Sequence, residues 1–526
     1  MLRYLFTFVL STLLLLVSCH ETTLDRKQVK TVLDSLENKL EWLDYRIARE
    51  TLEFSATGAS DSLDYYNGLY KYVINDPALL HILKHGRHLL NDENTLRQFE
   101  LLRSSVFLRK VESSSEIVAL RDSLAQLYSN QRTESDNQTK INSSSPWLCC
   151  NSNDSDSREK TYKTHWTVGE RFAKGFGKLV RLRNKEARRL GYNNYLSLSF
   201  AQQDIELHEY LKLLNYIDSL SIKPYEDILH KAQSRISDNL LEIWDLGLAY
   251  RDINQRIDVR FPYDSQLVFV RRELKSIGFN LDKLPIYFDL EPSERITEPA
   301  RFHTIKAPYD VRVTGEISDG IHSTYALIHE IGKALHRVYI FQDRALYINT
   351  IPAVWSESMA RSIAALCNDD QWLINYAGLP LSLVESYKKV KMEQSIMRLR
   401  MTLVNLMFEY EVYSNPNREL NKLYWDLFEH YMMLPRHDDI KPWAATIEFT
   451  THPVSLQNYL YADIIAAQIV NRIEQQYTNL SDNKAIGPYL TQNYFRFGAR
   501  YDWSDLLNRG TGEKLNPDYF IKHFGI

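Results

Sequence analysis

The stretch LIHEIGKALH, residues 327–336, decides how this chain is read. Taken as a helix, it puts residues 329 and 333 on one face, about 6 Å apart along the axis. Two imidazoles at that spacing converge on one tetrahedral ion, and a glutamate beside the first can act as general base. His329 and Glu330 are in place, but the fifth position of His-Glu-x-x-His is Lys333. An ammonium has three donors and no lone pair to offer a metal at neutral pH, and its charge repels one. His336 is no substitute. It stands seven residues after His329, about 10.5 Å along the axis, too far for both rings to share an ion.

A third ligand for such a site normally comes from a later helix. IPAVWSESMARSIAALC, residues 351–367, reads as that helix, opened by Pro352 near its first turn. Its Glu357 stands 24 positions after Lys333.

Outward from these two helices the chain is mostly α. Leu24 to Gln131 shows apolar residues at three- and four-residue intervals, as in VKTVLDSLENKLEWLDYRI. Residues 131–160 are rich in Ser, Asn and Asp and read as a connector. Helical patterning then resumes, with Gly191 as a helix stop after FGKLVRLRNKEARRL. Residues 285–315 are the main candidate for strands, where LPIYFDL and YDVRVTG are short and turn-bounded. The domain reading is therefore 1–19 as a leader, 20–130 as a helical region forming part of a groove, 131–160 as connector, and 161–526 as the site-bearing region.

With 526 residues, mixed charge and a net charge of -4, the chain is expected to be globular. It shows no basic stripe that would point to nucleic acid. The 33 tyrosines suit a lined groove and suit plain packing equally. Apart from Cys19, the cysteines are Cys149, Cys150 and Cys367, which make no disulfide framework or zinc-ribbon spacing. The N-terminus MLRYLFTFVLSTLLLLVSC has an early Arg3 and a short apolar run ending in Leu-Val-Ser-Cys. It reads as a secretory signal peptide. Its ending resembles a bacterial lipoprotein box, with Cys19 as the acylated residue. The expected location is the bacterial cell envelope, on a lipid anchor, at the outer membrane or cell surface rather than the inner membrane. An ordinary cleaved signal peptide is the alternative.

Together the segments resemble the peptidyl-dipeptidase A family, the angiotensin-converting-enzyme-like gluzincins, which are related to the thimet and oligopeptidase F families. The pieces are the His-Glu pair with Glu357 at the family's distance, Asp310-Val-Arg312-Val 19 residues before His329, LVRLRNKEARRLGY, IKPYEDILHKAQSRI with IWDLGLAY, and THPVSLQNYLYADII. The likeness covers roughly residues 160–500. It implies a large helical fold of two halves around a deep central groove, with a small β element. It also implies zinc as cofactor, His329 and Glu357 as ligands, and Glu330 as general base. His452 would donate to the tetrahedral intermediate, and His303 and Tyr459 would bind substrate.

Three departures weigh against catalysis. Lys333 replaces the second histidine ligand. Arg361 stands where the family has an aspartate that orients a ligand, reversing the charge at a position that tunes metal affinity. The family's tyrosine donor falls on Ala462, so Tyr461 serves only after a local shift, and its carboxylate-binding lysine falls on Thr450. The resulting expectation is a peptidase homologue with zinc absent or weakly held and with catalysis lost or impaired. It would bind an extended peptide or protein partner in the groove, with Lys333 close to Glu357 and His329. An active metallopeptidase with an unusual ligand set is the alternative.

Overall fold

The computed structural model describes residues 24–134, 152–290 and 299–523, apart from 61, 235, 237–239, 368, 369, 376, 478, 479 and 481. Cys19, the leader and most of the connector lie outside the described residues. Helices Ser115–Glu134 and Ser155–Trp166 enter the connector from both sides, so its first and last residues are helical. Elsewhere the structure is mainly α with one small sheet, as the patterning predicts.

The helices that matter for the site are α1 (Arg26–Thr57), α2 (Gly169–Arg189), α3 (Ile321–Val338), α4 (Ala353–Leu366), α5 (Leu381–Ser414) and α6 (Leu456–Gln476). Local chemistry sets their ends. Asp25 and Gln28 form a reciprocal cap at the start of α1, and Gly58 closes that helix in the left-handed region at φ 76°. Gly191, at φ 93°, ends the chain path out of α2.

The sheet has strands β1 (Ile286–Asp289), β2 (Arg301–Lys306) and β3 (Asp310–Thr314) in the order β1-β3-β2. β3 runs parallel to β1 and antiparallel to β2, with His303 opposite Arg312 and Arg301 opposite Thr314. Side chains alternate across the sheet. Val311 and Val313 therefore enter the core while Arg312 and Thr314 face the other way, on the side of His303. β2 is the edge strand beside α3.

One core runs from Val29 to Ile521, through both halves of the chain. Arginines lock those halves together, one buried and one partly buried. Arg183 on α2 pairs with Glu112 at 2.8 Å and donates to the carbonyls of Phe449 and Thr450, just before His452. Arg97 makes a two-point ion pair with Asp204 at 2.9 Å and also reaches the carbonyls of Ala499 and Tyr501. A satellite core of Ile257, Phe261, Ile321, Leu379 and Tyr387 supports the first turns of α3 and α5.

The most consequential contact is between α3 and α4. A Cβ on Gly332 would stand 2.9 Å from the Ala360 Cα and 3.2 Å from its carbonyl oxygen. The absent side chain lets the two backbones approach this closely. Lys333 follows Gly332 in α3, and Glu357 precedes Ala360 by under one turn of α4, so this contact sets how near those two side chains come.

Candidate functional site

α3 and α4 bring His329, Glu330, Lys333 and Glu357 into one group. The Lys333 ammonium lies 2.8 Å from Glu357 Oε1 and 3.2 Å from Glu330 Oε1. His329 Nε2 lies 2.8 Å from Glu357 Oε2 and 4.0 Å from Glu330 Oε1. Glu357 is thus held on both oxygens, by a ring nitrogen and by an ammonium. The pairing of Lys333 with Glu357 matches the expectation, well inside the range of direct contact.

The electrostatics follow from burial and contact. Burial opposes charge on Glu357, but the His329 hydrogen bond and charge, with Lys333, pull its pKa down to about 2. Burial likewise opposes charge on Lys333, yet Glu357 and Glu330 outweigh it and raise the pKa. Both groups are therefore ionised at neutral pH, and each stabilises the other's charged form. Glu330 is contacted on both oxygens. Its Oε1 faces Lys333, and its Oε2 accepts the Phe302 N–H of edge strand β2 at 2.9 Å.

The other predicted residues divide into those near this group and those away from it. His303 sits on β2 with Nε2 3.0 Å from Thr314 Oγ1, and burial and Arg301 lower its pKa while Glu330 raises it. His452 also feels Arg301, which with burial lowers its pKa, and its Nδ1 lies 2.9 Å from Thr451 Oγ1. Tyr459 on α6 is 42% exposed and its hydroxyl, raised mainly by burial, also feels Glu357, Lys333 and Arg361. Tyr461 does not join them. It is buried, with its ring 5.4 Å from that of Trp503. Two residues along a helix is a turn of about 200°, so Tyr459 and Tyr461 face opposite ways. His336 is fully buried beside Phe495 and points into the core.

Arg361 does not support a metal ligand. It reaches across to α6, with Nη1 3.4 Å from Asp463 Oδ1 and its guanidinium 6.0 Å from the Tyr459 ring centre. There it joins charges that the sequence reading passed over. Lys391 and Arg398 lie on one face of α5, together with Lys388, at a spacing of three and seven residues. Lys391 Nζ rests 4.1 Å from the centre of the Tyr325 ring on α3. Burial, with the charges of Arg398, Lys388 and Arg361, lowers its pKa to about 7. Arg398 is lowered as well, by burial and Arg361, with Asp463 opposing. This basic stripe lies one helical turn from the Lys333 group. Tyr325 precedes His329 by four residues, and Arg361 follows Glu357 by four.

No protein-family model matches the sequence, and no curated protein sequence matches it. Solved structures do. The chain is similar to the M32 carboxypeptidase from Deinococcus radiodurans R1, with a TM-score of 0.65 and 14% identity over 95% of this chain and 100% of that one. It is also similar to the apo-magnesium structure of the Pyrococcus furiosus carboxypeptidase, with a TM-score of 0.63 and 13% identity over 96% and 99% of the two chains.

The fold is that of the M32 carboxypeptidases. This agrees with the expected helical metallopeptidase architecture and does not extend to the peptidyl-dipeptidase A family. The M32 fold raises the question of whether this chain's residues fit a metal. A catalytic zinc takes three protein ligands and keeps one position open. Here His329 and Glu357 are bonded to each other, and the third position carries the Lys333 ammonium. Among the described residues no group of three or more His, Cys, Asp or Glu is disposed to hold an ion. The donor set does not fit zinc.

Proposed function

We propose that this chain is a non-hydrolysing relative of the helical metallopeptidases, whose groove binds the carboxyl end of an extended peptide. The observation that carries the first half is the position of the Lys333 ammonium, 2.8 Å from Glu357 and 3.2 Å from Glu330. A fixed monovalent charge stands where the motif would put a divalent ion. It pairs with both carboxylates without supplying a Lewis acid or lowering the pKa of a bound water. Glu330 is engaged on both oxygens, by Lys333 and by the Phe302 N–H.

The second half rests on the basic stripe one turn away. The similar structures are carboxypeptidases, which act at the carboxyl end of a chain. Arg361, Lys391 and Arg398 offer a terminal carboxylate charge-assisted hydrogen bonds. Tyr459 lies near Arg361 and is exposed. In this reading Cys19 remains the lipid anchor at the bacterial envelope, and the ligands are peptides rather than nucleic acid.

An active enzyme with an unusual ligand set would need a third donor. His303, the nearest histidine on the sheet, spends Nε2 on Thr314. The test is a panel of fluorogenic peptides, each as free acid and as C-terminal amide, offered to the full chain with and without added zinc. Free acids should bind and remain intact, and amides should bind weakly. Chelator-sensitive cleavage by the wild-type chain contradicts the proposal.

A further inference from the structure

The basic stripe holds more positive charge than one terminal carboxylate would balance, and this surplus defines a ligand class. The inference rests on the reading that the groove takes a peptide's carboxyl end. Asp463 pairs with Arg361 at 3.4 Å. Among the described residues neither Lys391 nor Arg398 makes an ion pair. Arg398 has only the Ser395 hydroxyl at 3.5 Å, and Lys391 has only aromatic faces, Tyr325 at 4.1 Å and Tyr387 at 5.9 Å. Both cations are half-buried, and the Arg361 Nε is buried without a hydrogen-bond partner. Asp258, the other carboxylate felt in this region, accepts the Ile321 N–H at the start of α3. Partly buried cations that repel one another and lack carboxylates are stabilised by anions brought from outside. One terminal carboxylate leaves a cation over.

We propose that the groove selects peptides ending in Asp or Glu, the terminal carboxylate lying by Arg361 and Arg398 and the side-chain carboxylate by Lys391. Tyr325 lies against Lys391 and Tyr459 lies near Arg361, so each of these cations has an aromatic neighbour for the bound residue to share. The Lys333 group itself holds two carboxylates to one ammonium and draws no further anion.

The test uses pentapeptide mixtures, randomised at the first four positions and ending in Glu, Asp, Gln or Ala, each as free acid and as amide. Binding to the full chain is read by fluorescence anisotropy. Free-acid Glu and Asp mixtures should bind about tenfold more tightly than Gln mixtures, the scale of one charge-assisted contact. Lys391→Gln should bring the acidic mixtures down to the Gln level, and Lys391→Arg should keep the preference. Equal binding of Glu- and Gln-ended acids overturns this inference and leaves the carboxyl-end reading standing. Equal binding of acids and amides, or no binding by any mixture, overturns both. Free L-glutamate binding as tightly as the Glu-ended mixture makes the occupant a small dicarboxylate and overturns the peptide assignment.

Discussion

Two partly buried lysines, one on α3 and one packed against it, meet opposite fates. Lys333 lies between two carboxylates, and its pKa is raised. Lys391 lies between two tyrosine rings and near three other cations, and its pKa is lowered to about 7. Burial pushes both in the same direction, against charge. What differs is the neighbour. The first site is closed electrostatically, because the protein supplies its own cation. The second is open, because among the described residues two of its cations, Lys391 and Arg398, make no ion pair. This contrast is what the proposed function rests on.

The sharpest way to break this contrast is to make the same substitution at both lysines. Lys333→Met leaves Glu330 and Glu357 facing each other without an ammonium, and it should cost about 3–5 kcal/mol in urea unfolding, as removing one partner of a buried pair does. A cost below about 1 kcal/mol at that position would mean the pair is solvated and the closed site is not closed.

Acid should open the same site. The folded pKa of Glu357, about 2, lies below its ordinary value of 4.5, so the folded state binds fewer protons. Its contribution is fully present above about pH 5 and fades as pH falls from there toward 2, on the order of 3 kcal/mol in all. The stability gap between wild type and Glu357→Gln should therefore shrink across that window, measured by denaturant melts at fixed pH steps. A gap independent of pH would remove Glu357 from the ion pair.

Next in size is the helix contact that sets the geometry. Gly332→Val forces side-chain atoms against the Ala360 backbone and should cost about 1–3 kcal/mol. It should also weaken the Lys333–Glu357 pair, so that a second substitution, Lys333→Met, costs less in the Gly332→Val background than alone. Additive costs would show that the two are independent.

The smallest expected effect has the opposite sign. Lys391→Met removes a cation that burial and like charges disfavour. It should raise stability by about 1 kcal/mol at pH 7, the modest size reflecting partial exposure. The folded pKa of Lys391 lies below the ordinary 10.5, so its charge is a liability below pH 7 that disappears as pH rises from 7 toward 10. The advantage of Lys391→Met should disappear over the same range. Loss of stability on this substitution would mean that an anion already balances Lys391.

Much of this was legible in the sequence. Helical periodicity and the spacing of His329, Glu330 and Glu357 located both site helices, and the β-rich segments around Ile286 and Val311 located two of three strands. The Lys333–Glu357 pair followed from one substitution read against its motif. What escaped needed tertiary neighbours. Lys391 and Arg398 look like ordinary surface charges on a helix until α3, α4 and α6 are packed against them. Their spacing on one face was the available signal. The Phe302 N–H that engages Glu330 belongs to a strand edge, which no side-chain motif records. Tyr461 was misplaced because alignment to a pattern counts residues, whereas a helix distributes them around an axis.

The central claim is that Lys333 stands in for a metal. Zinc titration of the full chain by calorimetry, wild type beside Lys333→His, tests it most directly. Wild type should show no stoichiometric binding. The variant should take up about one zinc per chain, because the introduced imidazole would join His329 and Glu357 in a three-ligand set. One tightly held zinc in the wild-type chain would contradict the claim.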